Sequence, residues 1–154
     1  MSAPRSAALA AVLAAVATAT ASCRNGDGDG RLSREEFLRR ADAICADYDA
    51  RLARLGNPAS IAELGRLAAR ALPIAREGVA KLRALEPPEE LARDVERWLA
   101  RNDENVSRIA AIGEAAQADD ATRVQEIASA ATANERRADA LARRLGLRDC
   151  AKED

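Results

Sequence analysis

Residues 33–55 read SREEFLRRADAICADYDARLARL, and their apolar positions decide the fold. Phe37, Ala41, Ile44, Tyr48, Leu52 and Leu55 recur at steps of three and four. That spacing draws one stripe down one face of a helix, because residues three and four apart sit above one another at 3.6 residues per turn. Ser33 precedes the stripe and Glu36 lies three residues on, the pattern in which a serine hydroxyl caps the helix and a glutamate reaches back to the first amides. Gly56-Asn57-Pro58 ends the segment.

The same period continues downstream. A second segment, from about residue 60 to 85, keeps Ile61, Leu64, Leu67, Ala68, Ala71, Ile74, Ala75, Val79 and Leu82 in phase. Pro73 lies inside it and predicts a kink or a split, since proline lacks a donor and crowds the preceding turn. Glu86-Pro87-Pro88 breaks the chain sharply. A third segment starts near Pro88 and carries Leu91, Val95, Trp98, Asn102, Asn105, Ile109, Ile112 and Ala116. Asp119 or Asp120 can cap a fourth, with Val124, Ile127, Ala131, Asn134, Ala138, Leu141 and Leu145 on its stripe and Gly146 as a left-handed terminator. Four amphipathic segments joined by short loops predict an all-α fold, an antiparallel up-down four-helix bundle over residues 33–150, followed by a tail at 151–154.

Composition agrees. Among 154 residues 48% are hydrophobic, about half of them alanine, while aromatics supply only 2%. The 24 basic and 25 acidic residues interleave to a net charge of −1, which excludes the basic stripe of a nucleic-acid surface. Acid precedes base by four at Glu35–Arg39, Glu36–Arg40, Asp47–Arg51, Glu77–Lys81, Glu89–Arg93, Glu104–Arg108 and Asp139–Arg143, as on solvated helix faces. Histidine is absent, which removes the commonest general base and metal ligand together. No phosphate loop or nucleophile elbow occurs, and Asp42, Asp47, Asp49, Asp119 and Asp120 form no recognisable catalytic pair. An enzyme is not expected.

Upstream of the helices, residues 1–22 carry Arg5 and then an uncharged run from Ala7 to Ala21. A basic start, a short apolar middle and small residues at the end make a secretory signal peptide. The run is too short and alanine-rich for a comfortable membrane span. It ends Thr20-Ala21-Ser22-Cys23, which resembles the lipobox of bacterial lipoproteins, although Thr20 stands where that family has leucine. The resemblance implies a lipid on Cys23, with residues 23–32 as lipidation site and Gly/Asp-rich spacer, and anchoring through buried methylenes. Cleavage after Ala21 by an ordinary signal peptidase is the alternative, and the product would then be secreted. If Cys23 takes lipid, Cys45 and Cys150 remain as a pair in an oxidising compartment, closing a loop of about 105 residues; two unpaired buried thiols are the other reading.

Residues 25–37, NGDGDGRLSREEF, resemble the calcium loop of EF-hands. Asn25, Asp27, Asp29, the carbonyl of Arg31 and the carboxylate of Glu36 fall at the ligand positions, with Gly30 at the sixth. Asparagine replaces the usual aspartate at the first position, and no second loop follows. A flexible spacer ending in a helix cap explains the same letters. Calcium is the one cofactor the sequence brings into question.

Asn102, Asn105 and Asn134 interrupt apolar stripes, either as an interhelical amide network or as a small polar ligand site. Trp98 and Tyr48, the only tryptophan and tyrosine, lie on stripes and are expected in the core. The terminal signal, the spacer, EEFLRRADAICADYDARL, LEPPEELARDVERWL and LARRLGLRDC together resemble small exported lipoproteins of actinobacterial type. That resemblance implies an anchored helical domain on the outer face of the membrane, with Cys45 and Cys150 paired and a protein or small-molecule partner.

Overall fold

The computed structural model describes residues 30–151. The predicted signal segment 1–22, Cys23, Asn25, Asp27 and Asp29 lie outside the described residues, as do the last three positions. The described chain is an antiparallel up-down bundle of four helices: α1 (Arg34–Ala53), α2 (Ile61–Arg83), α3 (Glu89–Gln117) and α4 (Ala121–Leu145).

Each helix begins where local chemistry supplies an acceptor for its orphan amides. Ser33 Oγ accepts from Glu36 N at 3.3 Å, Ser60 Oγ from Glu63 N at 3.2 Å, and Asp120 Oδ1 from Arg123 N at 2.9 Å. Pro88 precedes α3 with no side-chain cap, its fixed φ of −61° already suited to helix entry. Gly146, at φ +93°, ends α4: the amides of Gly146 and Leu147 both return to the Ala142 carbonyl, at 3.1 and 3.0 Å. Pro73 does not split α2, which is helical throughout. The proline lies on the solvent face, so water can take the carbonyl it leaves unbonded, and no buried polar group results.

The interior is divided along the bundle axis. Near the end where α1 starts and α4 finishes, large side chains form the core: Phe37, Leu82, Leu91, Val95, Trp98, Leu145 and Leu147, interleaved with Ala41, Ala138 and Ala142. Trp98 is 2% exposed, as its stripe position predicts. Toward the other end the buried residues of α2 and α3 shrink to Gly65, Ala68, Ala71, Gly113 and Ala116. The two helices there approach so closely that a Cβ added at Gly113 would lie 3.2 Å from Ala68 Cβ. At 20 residues against 29, α1 is nine residues shorter than α3, or roughly 13 Å at 1.5 Å per residue. α1 packs mainly on α2 and does not run along α4.

What joins α1 to the end of the chain is the segment after α4. It folds back over α1, burying Leu147 and Ala151. Asp42 Oδ1 accepts the backbone amides of Arg148, Asp149 and Cys150 at 2.9, 3.0 and 3.4 Å. One turn further along α1, Cys45 is bonded to Cys150, with an S–S distance of 2.09 Å and a separation of 105 residues. By loop entropy such a closure is worth at most roughly 4–5 kcal/mol. Arg34 adds a hydrogen bond from its guanidinium to the Leu145 carbonyl at 3.1 Å.

Asp42 is thus a helix residue that caps a turn supplied by the other end of the chain. Asp42→Ala should lower unfolding free energy by about 1–2 kcal/mol, because three amides lose their common acceptor. Asp42→Asn, which keeps an oxygen, should cost less. Urea denaturation of both variants with the disulfide intact checks the order; equal stabilities for all three proteins would contradict it.

Candidate functional site

Because α1 leans on α2 and meets α4 only near one end, a seam opens between α1 and α4. Beneath it lies a cavity of about 170 Å³, walled by all four helices and the returning tail. Its apolar surface comes from Ile44 and Leu52 of α1, Ala75 and Val79 of α2, and Val106 and Ile109 of α3. Trp98 closes it toward the large-residue core. Gly78 leaves room on the α2 side, where a Cβ would stand 3.5 Å from Tyr48 Cδ2, so the tyrosine ring lies over a helix surface bare of side chain.

Polar groups are placed within this apolar frame. Asn134 is buried at 1% exposure and joins α4 to α3: its amide donates to the Arg101 carbonyl at 2.8 Å and to Asn105 Oδ1 at 2.7 Å. Arg101 donates back to Asn134 Oδ1 at 3.3 Å. This is the amide network expected from the sequence, and it fixes the register of the two helices. Asn102 donates to the Trp98 carbonyl one turn earlier, at 2.9 Å, and with Asn105 lines the cavity. Asn105 thus both ties α3 to α4 and faces the cleft.

Tyr48 is half-buried and belongs to the cavity wall as much as to the core. Burial pushes its hydroxyl pKa up to about 12, with the Asp49 and Glu135 carboxylates adding to the shift. Asp49, Glu135, Asp139 and Asp149 stand in the wall with it, and the lining includes no lysine or arginine. The phenol stays protonated at any ordinary pH.

Of the calcium-loop residues, Arg31 and Glu36 can be placed. Gly30 has φ +85°, a left-handed turn, and the next residues are laid against the α2–α3 connection. Leu32 N donates to the Glu86 carbonyl at 2.9 Å, and Arg31 Nη1 to the Pro87 carbonyl at 3.4 Å. Glu36 turns away from the loop. Its Oε1 accepts from Arg39 Nη2 and Arg40 Nε, each at 2.6 Å, and its Oε2 from Arg39 Nε at 2.9 Å. The carboxylate thus does not reach back as the capping-box pattern predicts: two guanidinium groups on its own helix are charged donors and outbid a neutral amide. A calcium ion ligated by Glu36 would first have to displace both. Among the described residues no group of three or more His, Cys, Asp or Glu converges to hold a metal ion, and no helix is long and apolar enough to cross a membrane.

Sequence reasoning passed over Asp42 and the cavity. Asp42 precedes Cys45 by three and Asp49 follows it by four, so all three share the face of α1 that meets the tail. The cavity had a fainter signal in Gly78 and Val79, small residues on the stripe of α2 opposite Tyr48.

Glu36 and Glu77 give the site's surroundings a defined acid response. Arg39 and then Arg40 hold Glu36 at a pKa of about 2, while Arg51 and then Lys81 hold Glu77 at about 2, both below the ordinary 4.5. A carboxylate whose pKa falls on folding adds stability above its unfolded value and loses it as pH drops through the folded one. Wild-type stability should therefore decline between pH 4.5 and 2 more steeply than that of Glu36→Gln/Glu77→Gln, with the two curves converging near pH 2. Both groups are exposed, so the gap should shrink in high salt. Parallel curves by urea titration across that range would contradict the assignment.

Comparison with protein-family models, with curated proteins and with solved structures returned no match, so the chemistry of the cleft rests on its own side chains.

Proposed function

We propose that this chain is an exported, membrane-anchored binding protein, not an enzyme, and that it takes a small molecule in the cleft between α1 and α4. The observation that carries the reading is the cavity of about 170 Å³ itself, enclosed by four helices yet open along one seam, with amides and a protonated phenol inside an apolar frame. Pockets with a few polar groups in an apolar wall are the usual form of small-ligand sites. The absence of histidine and the commitment of Cys45 and Cys150 to a disulfide favour binding over catalysis. The N-terminal sequence, with its apolar run and Cys23, favours a lipid anchor facing the cell exterior.

Under that reading the anchor has a geometric consequence. Gly30 is seven positions along the chain from Cys23, a reach of about 25 Å at full extension. Gly30 lies beside Glu86 at the large-residue end of the bundle. That end would stay near the membrane while the loops at 54–60 and 118–120 point outward.

The neutral one-ring dye 4-nitroaniline tests the cleft, because Trp98 lines it and is the only tryptophan. Saturable quenching of Trp98 is expected, and Gly78→Phe or Ile109→Phe should abolish it by filling the space. No quenching, or quenching that both variants leave intact, would remove the cleft as the site. Cys23→Ser should shift the full chain from the membrane fraction into the medium or soluble fraction; retention in the membrane would remove the anchor.

A calcium-responsive N-terminal loop is the second reading. It is favoured by Gly30 at φ +85°, since the sixth position of such a loop must turn sharply, and by α1 starting at the tenth position. Calorimetry on the exported protein at millimolar calcium should then show heat that Glu36→Gln abolishes. Heat unchanged by that substitution, or none at all, would end this reading.

A further inference from the structure

We propose that the ligand of the α1–α4 cleft is a small organic cation with an apolar body, an amine or quaternary ammonium carried on a ring or a branched aliphatic group. The proposal rests on the cleft being the binding site, and it concerns only the charge and size of what enters.

Size comes first. A cavity of about 170 Å³ is comparable to the roughly 150 Å³ engineered cavity that accepts benzene. One ring or its aliphatic equivalent fits, and a nucleotide or a sugar chain does not. The lining surfaces of Ala75, Val79, Val106, Ile109 and Trp98 offer nothing for a charged group and suit the apolar body.

Charge follows from the wall. Four carboxylates, Asp49, Glu135, Asp139 and Asp149, line the cleft without a lysine or arginine among the lining residues, although the whole chain is nearly neutral at −1. Asp49, Glu135 and Asp139 each make an interaction within the protein, so the excess of acid in the wall, not any bare carboxylate, sets the sign of the field. Arg101 and Arg108 of α3 are not among the lining residues, and both donate to Glu104, at 3.1 and 3.2 Å. A recess of low dielectric lined by one sign of charge focuses the potential inside it. The Tyr48 ring adds a π-face of the kind that attracts ammonium groups.

A metal ion is the poorer occupant. The carboxylates come from two helices and the tail and are spread around the wall, without the convergence of three that a metal needs. An organic cation needs only the field and the apolar contact.

Competition against the bound dye tests this on the full chain. Benzylammonium, benzyl alcohol and benzoate share one size and differ in charge. Benzylammonium should displace 4-nitroaniline at about tenfold lower concentration than benzoate at low ionic strength, with benzyl alcohol between them, and the spread should narrow in 0.5 M salt. Asp49→Asn/Glu135→Gln should bring the three competitors together, each compared with that variant's own dye affinity. Equal displacement by all three in the wild type, a preference for benzoate, or no displacement by any of them while the dye binds would overturn the cation and leave the cleft reading standing. If the dye itself does not bind, both fall together.

Discussion

One carboxylate oxygen, Oδ1 of Asp42, gathers the amides of Arg148, Asp149 and Cys150 and so fastens the end of the chain to the first helix. The Cys45–Cys150 disulfide lies a turn away and makes the same junction covalent. α1 needs this junction because its helical support comes mainly from α2. Held by α2 along its length and by the tail at one end, α1 closes the bundle without lying flat on α4. The seam between them is the direct product of that arrangement, and the cleft beneath the seam is the feature on which the functional reading depends.

The division of the interior follows the same logic. Close to the junction, Phe37, Trp98, Leu91 and Leu145 bury large surfaces and supply most of the hydrophobic stabilisation, at about 1.5–3 kcal/mol for each fully buried large side chain. Beyond it, Gly65, Gly113 and their alanine neighbours bring α2 and α3 into close contact, while Ala75 and Gly78 leave space under α1. Tyr48 and the asparagines occupy that space only in part. A rigid end and a partly filled middle is a workable design for a receptor, since preorganised walls cost little to order when a ligand arrives.

Much of this was legible in the residues. The three-four spacing marked all four helices, and Ser33, Asp120 and Gly146 stand at helix ends as their chemistry predicts. The pairing of Cys45 with Cys150 followed from counting cysteines in a chain whose sequence predicts export, and the asparagine bridge from polar residues on apolar stripes. What escaped was relational. Periodicity states which face of α1 is apolar but not whether α2 or α4 will cover it, so the seam was invisible. Asp42 reads as one more surface acid until the tail brings three amides to it. Pro73 carries a breaker's signature, yet its place on the solvent face makes the lost hydrogen bond tolerable. Glu36 matched both a capping pattern and a calcium position, and Arg39 and Arg40, three and four residues on, took its oxygens.

The dependence of α1 on the junction can be measured directly by hydrogen exchange before and after reduction of the Cys45–Cys150 bond. If the tail holds α1 in place, reduction should speed exchange across Arg34–Ala53 and the last residues of the chain while Glu89–Gln117 and Ala121–Leu145 keep their protection. Loss of protection spread evenly over all four helices, or no change in α1, would contradict the account.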